Sequence, residues 1–414
     1  MSPVVFSDYD PASPTETQDP FPGWARARRE APVFFTPQHD VWWVSRQDDV
    51  KTVLGDPGTY SSRQSFKTPP PPEDLAPLIG GLPWEHTIAA QDPPEHSRLR
   101  RLAQVAFTPK HTAGRAPVIR EITNRRIDAF PKDGAFDLVS AFSQPVPLEV
   151  ITHIVGAPAE HAPQLRHWTD VFFRLVGSGS TLDDAERATL YGEIRELMLY
   201  CRDLIEERRR EPQDDLATDL IFAQTEDGDP QLSDVELTAV IISLFVAGNE
   251  TSASMITQSL YCLLTHPEQW AELKADRNLI PGAVEETLRY CGPVKGIQRT
   301  TTQPTQLGDV ELPEGAQLYL LLGSAGRDAD TWEDADSFDI HRKQLSRHVA
   351  FGRGLHFCLG APLARLEGLI ALECLIDRVP NIRLAGDITY GDFVRVLSPL
   401  ELLVECGDAP QGAH

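Results

Sequence analysis

The chain has 414 residues, 41% of them hydrophobic, which suffices for one large globular unit or two to three smaller ones. A formal net charge of −23 and a pI near 4.9 argue against nucleic acid and against anionic membrane surfaces as partners. The six cysteines (Cys201, Cys262, Cys291, Cys358, Cys374 and Cys406) follow no paired spacing, so neither a disulfide framework nor a zinc site is indicated and a reducing, cytoplasmic setting is expected.

Met1 to Pro14 has neither a basic stretch nor a long apolar run, so no targeting segment is expected. Trp24–Glu30 reads as a short helix, Val41–Val44 as a strand and Asp48–Leu54 as a helix. From about Ser61 to Ala90 the chain reads as a long irregular loop, with four prolines at Pro69–Pro72, of the kind that forms lids or binding loops. Helices are expected over about 94–106, 113–130, 138–155, 159–176, 182–211 and 215–223. No linker divides the chain, so a single domain over 1–414 is expected, with loose termini.

Ser233-Asp-Val-Glu236 is a capping box, and Leu232 and Leu237 are placed to staple it. The helix it opens continues to about Leu264, roughly 48 Å at 1.5 Å per residue. Its longest apolar stretch, Ala239 to Ala247, is expected to be too short to cross a bilayer and to form the buried centre of the fold. Ala247-Gly-Asn-Glu-Thr251 interrupts it with a glycine, an acid and a hydroxyl, so a functional kink is expected there. A second helix, about Pro281 to Cys291, carries Glu286 and Arg289 on one face. Short β-segments follow in Pro293–Thr302, Val310–Gly315 and Gln317–Leu322, then an irregular acidic stretch over Gly326–Val349. Short strands are expected over Ile382–Val404.

Phe351-Gly-Arg-Gly-Leu-His-Phe-Cys358-Leu-Gly360 delivers one cysteine to the mouth of a helix marked by Leu359, Leu363, Leu366, Leu369 and Ile370. Gly352, Gly354 and Gly360 permit positive φ and close approach of backbone to a bound object. A thiol at a helix N-terminus is expected to have a lowered pKa and to serve as a metal ligand. The alternative is a small buried apolar cysteine.

These motifs together resemble the cytochrome P450 family, bacterial soluble type. The resemblance rests on the cysteine loop, Ala247–Thr251, Glu286-Thr-Leu-Arg289, Phe338-Asp-Ile-His-Arg342, and His96-Ser-Arg-Leu-Arg100 after Asp92-Pro-Pro-Glu95. It implies a mainly α fold with small β-sheets (α+β), with haem b between the long central helix and the cysteine helix. Cys358 would be the axial ligand to haem iron, with Phe351, Gly352 and Gly360 around it. His96, Arg100, Arg299 and His356 would meet the propionates. On the opposite face Ala247 and Gly248 would flank the haem, and Glu250 and Thr251 would deliver protons to dioxygen chemistry. Glu286, Arg289 and Arg342 would form a buried structural network.

By the same resemblance the substrate pocket includes Leu82, Ile88, Ser243, Val246, Val294, Ile297, Phe393 and Val394, a largely apolar set. Lys295 and Arg395 fall near it; both are expected to run to solvent, the alternative being that one pairs with a substrate carboxylate. The implied activity is a monooxygenase placing one atom of dioxygen into a small hydrophobic molecule by hydroxylation or epoxidation. Oxidative coupling, desaturation, peroxide-driven oxidation and a non-enzymatic haem sensor are the alternatives. Electrons would come from a ferredoxin or flavodoxin with its NAD(P)H-dependent reductase, docking near Arg100, Arg101, Lys110 and Arg353 on a protein expected to be monomeric.

Overall fold

A computed structural model of the chain describes residues 4–66, 68, 83–178, 182–224, 228 and 230–407. The capping box forms as the sequence predicts. Ser233 Oγ accepts from the Glu236 amide, and the Glu236 carboxylate accepts from the Ser233 amide at 2.8 Å. The central helix then runs unbroken from Asp234 to Thr265 and ends at His266, where Pro267 begins a separate helix, Pro267–Ala275. Pro267 can open that helix because the first turn of a helix needs no donor at that position. The central helix is long and apolar enough to cross a membrane, contrary to the expectation from its longest apolar run, yet 72% of its most apolar window is buried within the protein.

Helices Pro145–Val155, Ala162–Ser178, Asp184–Arg210, Ile280–Cys291 and Ala361–Arg378 surround it and share one apolar core with it. Three expected helices have different bounds. The span 94–106 is an α-helix over Glu95–Gln104 followed by a 3-10 turn; 113–130 is Ala116–Asp128; and 138–155 divides into a π turn, Val139–Ser143, and Pro145–Val155. Pro145 and Pro147 account for the last division, since neither can donate to the preceding turn.

The largest sheet has five strands, ordered Val33–Thr36, Val41–Val44, Gln317–Leu320, Ile297–Thr301 and Tyr60–Ser61. Neighbours are antiparallel except Val41–Val44 with Gln317–Leu320, where Trp42 pairs with Leu318. Near the C-terminus Thr389–Tyr390 pairs with Pro399–Glu401. The turn between them is tied to the segment after the Glu286 helix, through Lys295 N to Arg395 O at 2.9 Å and Leu397 N to Pro293 O at 2.7 Å. It is tied to the central helix through Ser254 Oγ to Leu397 O at 2.5 Å. Within roughly the first 15 residues, expected to be loose, Phe6 and Tyr9 are buried, and just beyond them Gln18 Nε2 donates to Tyr390 O at 2.7 Å. Within the expected long loop, Pro83–His86 and Ile88–Ala90 are short 3-10 turns, with Trp84 buried.

Candidate active site

Gly352 and Gly354 lie at φ +70° and +67°, so both require the left-handed freedom that glycine offers. Gly360 does not: its φ is −82°, and it caps the Ala361–Arg378 helix with its amide turned toward the Cys358 sulfur. The Cys358 amide donates to Phe351 O at 2.8 Å, closing the loop. The Arg365 guanidinium lies 4.5 Å from the Phe351 ring centroid and is itself held by Glu285, Nη2 to Oε2 3.0 Å. Cys358 is the one exposed cysteine of the six, yet it sits deep enough for desolvation to push its thiol up. The Gly360 and Ala361 amides and Arg100 oppose that rise without reversing it. The expected low thiol pKa is therefore not met by the protein's own groups; a bound cation must supply the stabilisation that makes the thiolate.

Facing the same space are several polar groups without partners. His96 is 0% exposed, and both its ring nitrogens lack a hydrogen bond among the described residues. Its ring centroid lies 4.2 Å from that of His356, whose Nε2 is 3.0 Å from Ser62 Oγ. Arg299, 5% exposed, reaches only the main-chain oxygen of Gln298. Burial brings its pKa down to about 10, and burial likewise lowers that of Arg100. Neither guanidinium has a carboxylate within ion-pair distance among the described residues. His356 is pushed down to about 3, by burial first and then by Arg299, His96 and Arg100. Two buried side chains, His96 and Arg299, gather with half-buried Arg100 and His356, so the arrangement fits an object presenting anionic groups beside Cys358.

Across from the cysteine, Ala247 is exposed and Gly248 and Thr251 are half-buried, although their helix is otherwise central. This is the face of the helix turned to open space. The helix is not interrupted here, and Thr251 Oγ1 returns to Ala247 O at 2.6 Å. Gly248 has a packing role, since a Cβ there would stand 3.3 Å from Ile151 of the neighbouring helix. Glu250 is buried. It accepts from Ser398 Oγ, while Oε2 lies 3.4 Å from Arg166 Nη1. Arg166 in turn bonds Asp170, which is half-exposed, so a polar chain runs from Glu250 outward. Burial raises the Glu250 pKa; Arg166 and Ser398 oppose the rise.

Sequence reasoning missed two acids. Burial pushes Glu367 up to about 8, with the Ser252 hydroxyl as its partner. The signal was a lone acid inside the apolar stripe from Leu363 to Ile370. Glu285 is held down at about 2, because His348 at 2.9 Å and Arg365 outweigh its desolvation.

Glu286, Arg289 and Arg342 meet as predicted. Arg289 grips both carboxylate oxygens of Glu286 at 2.7 Å, and Arg342 Nε adds a third contact at 3.0 Å. The remaining Arg289 donors reach the oxygens of Gly326, Ala335 and Ser337, pinning the irregular stretch that precedes the cysteine loop.

Among the expected pocket residues, Val294, Ile297, Phe393, Val394 and Ile88 are half-buried, and Val246 is buried. Ser243 spends its hydroxyl on Ala239 O of its own helix. Leu82 lies outside the described residues, as does the Lys110 side chain. The 293–297 and 394–397 segments lie side by side, and Phe393 is 6.4 Å from Phe173. Neither Lys295 nor Arg395 runs to solvent, contrary to expectation. Lys295 is buried beside Glu16 and donates to Thr17 O at 3.1 Å. Arg395 donates to Ser65 O at 3.2 Å and to Gln298 Oε1 at 2.8 Å.

The family model described as Cytochrome P450 matches residues 31–379. The chain is 39% identical to cytochrome P450 107B1 of Saccharopolyspora erythraea over 352 residues, 84% of each chain. It is 36% identical to the cytochrome P450 monooxygenase PikC of Streptomyces venezuelae, over 92% of this chain and 88% of that one. Among solved structures, cytochrome P450 CREJ in complex with (4-ethylphenyl) dihydrogen phosphate aligns with a TM-score of 0.89. It is 31% identical and covers 97% of this chain and 100% of that one.

Proposed function

The chain belongs to the cytochrome P450 family, and from that premise we propose which of its residues carry the haem-dependent monooxygenase activity. Cys358 ligates the haem iron, and His96, Arg100, Arg299 and His356 hold the propionates. The observation that carries this reading is His96, fully buried with both ring nitrogens lacking a hydrogen bond among the described residues, beside buried Arg299 and the one exposed cysteine. Haem held there by a thiolate would supply the cleavage of dioxygen that places one atom in the substrate and releases the other as water. The chain's own residues manage the protons. Glu250 takes them up from the Arg166–Asp170 side and Thr251 presents a hydroxyl to the distal space. Glu286, Arg289 and Arg342 brace the meander that carries the cysteine loop.

We read the enzyme as a soluble, cytoplasmic monomer forming one catalytic domain, with a small, largely apolar organic substrate seated among Ile88, Val246, Val294, Ile297, Phe393 and Val394. Its electrons come from a ferredoxin or flavodoxin with an NAD(P)H-dependent reductase. Exposed Arg353 lies in the cysteine loop with the exposed apolar side chains Leu355 and Phe357, and Arg101 is a further exposed cation on an otherwise acidic protein. Peroxide-driven chemistry is disfavoured by the Glu250 chain toward the surface, which dioxygen cleavage needs and peroxide does not. The deciding experiment is a spectral titration of the ferric protein with a metabolite library, followed by turnover with a surrogate ferredoxin system. Substrate binding registers as a spin-state shift, and oxygenated product that appears with peroxide but never with reductase overturns the dioxygen reading.

A further inference from the structure

Most buried cations of this protein are matched by acids or by the haem. Arg289 and Arg342 are met by Glu286, Arg208 by Asp215, and Lys295 lies beside Glu16. Arg299 and Arg100 face the propionate side. Arg28 and Arg395 have only neutral hydrogen-bond partners among the described residues. Arg28, on Ser324 O and Oγ, also feels the Asp328 carboxylate; Arg395, in the turn that follows Phe393 and Val394, is on Ser65 O and Gln298 Oε1. A guanidinium has five N–H donors in a fixed fork, so these two contacts aim the group without satisfying it. Burial lowers its pKa, and the ionisable group acting on it is the phenol of Tyr319 rather than a carboxylate. Despite this depth the side chain keeps some accessible surface, and the space around it includes the Phe66 ring.

That space is otherwise apolar. Phe66 lies 5.6 Å from the Arg395 guanidinium, Phe66 contacts Phe172, and Phe173 contacts Phe393. Arg299 feels the Asp92 carboxylate and Arg395 the Tyr319 phenol, so the two cations sit in different surroundings.

We propose that Arg395 anchors an anionic group of the substrate, a carboxylate or a phosphate monoester, at the end of the pocket remote from Cys358, so that oxidation falls on the apolar part of the molecule. This rests on the monooxygenase reading above and names its substrate class. Lys295, the other candidate, is excluded by Glu16.

The test is calorimetric titration of the ferric holoenzyme with decanoate, decyl phosphate and decanol. Wild-type protein binds at least one anion roughly ten- to hundredfold more tightly than decanol, as expected for charge-assisted hydrogen bonds; whichever anion prevails identifies the headgroup. Arg395→Met abolishes the preference, and Arg395→Lys, which keeps the charge and loses the fork, retains part of it. Equal affinity for anions and decanol in the wild type, or an equal preference in wild type and both variants, overturns the proposal. The reduced carbon monoxide spectrum of each protein reads haem–thiolate ligation separately. A normal spectrum with no charge preference sinks the Arg395 site alone, whereas an abnormal wild-type spectrum sinks the family-based reading of Cys358.

Discussion

His96 carries more information in the structure than in the sequence. As a sequence letter it is one histidine among 12; in the fold it is fully buried with both nitrogens unpaired, a state that folded proteins avoid unless something binds. The same holds for Cys358, whose thiol the protein raises rather than lowers. On the proposal that Cys358 is the haem ligand, Cys358→Ser is expected to abolish the thiolate-type spectrum of the reduced, carbon monoxide-bound protein; a retained spectrum would remove Cys358 as ligand. Glu250 is placed to move protons, and Glu250→Gln is expected to lower product formation by about 10²-fold, the usual scale of general acid–base catalysis. Substrate affinity by spectral titration should stay within a factor of about two, because Glu250 points toward Ser398 and Arg166.

At the scale of elements, two neighbouring acids on the Ile280–Cys291 helix do separate jobs. Glu286 binds the meander through Arg289 and Arg342, while Glu285 binds the cysteine loop and the cysteine helix through His348 and Arg365. Arg289→Met leaves the Glu286 carboxylate short of its bidentate partner and frees the main-chain oxygens of Gly326 and Ala335, and is expected to cost about 3–5 kcal/mol. Urea unfolding and haem content check this; a loss below about 1 kcal/mol would mean that the network relaxes without it. Glu285 makes a different prediction. Its folded pKa of about 2 lies below the ordinary 4.5, so its contribution is fully present above pH 4.5 and is lost as pH falls toward 2. Glu285→Gln should flatten that acid limb in a series of urea midpoints from pH 6 to about pH 3. An unchanged slope would remove Glu285 from the acid response.

For the whole molecule, charge is the governing quantity. A net −23 makes approach of an acidic electron carrier unfavourable except where cations are concentrated. Arg353→Glu combined with Arg101→Glu is expected to slow reduction by a ferredoxin about tenfold at low salt, with the gap narrowing as salt rises. Stopped-flow reduction reads this directly, and equal rates would move the docking face elsewhere.

The sequence by itself determined the elements whose signals are local. The capping box at Ser233, the Glu286–Arg289 spacing and the cysteine loop are short-range patterns that the backbone obeys wherever it lies. It could not determine what depends on non-neighbouring groups. The proline after His266 starts a helix because helix Pro267–Ala275 has its own packing partner, Trp270, in the core. Gly248 is small because Ile151, about a hundred residues earlier, presses on it, and no interruption of the helix follows. Glu367 was invisible as a neutral acid because its burial is a property of two packed helices. The contrast between Lys295 and Arg395 belongs to the same class. Both are cations in similar apolar surroundings, and only the folded chain assigns Glu16 to one and no acid to the other, because whether a buried charge is compensated is a matter of distance across the fold.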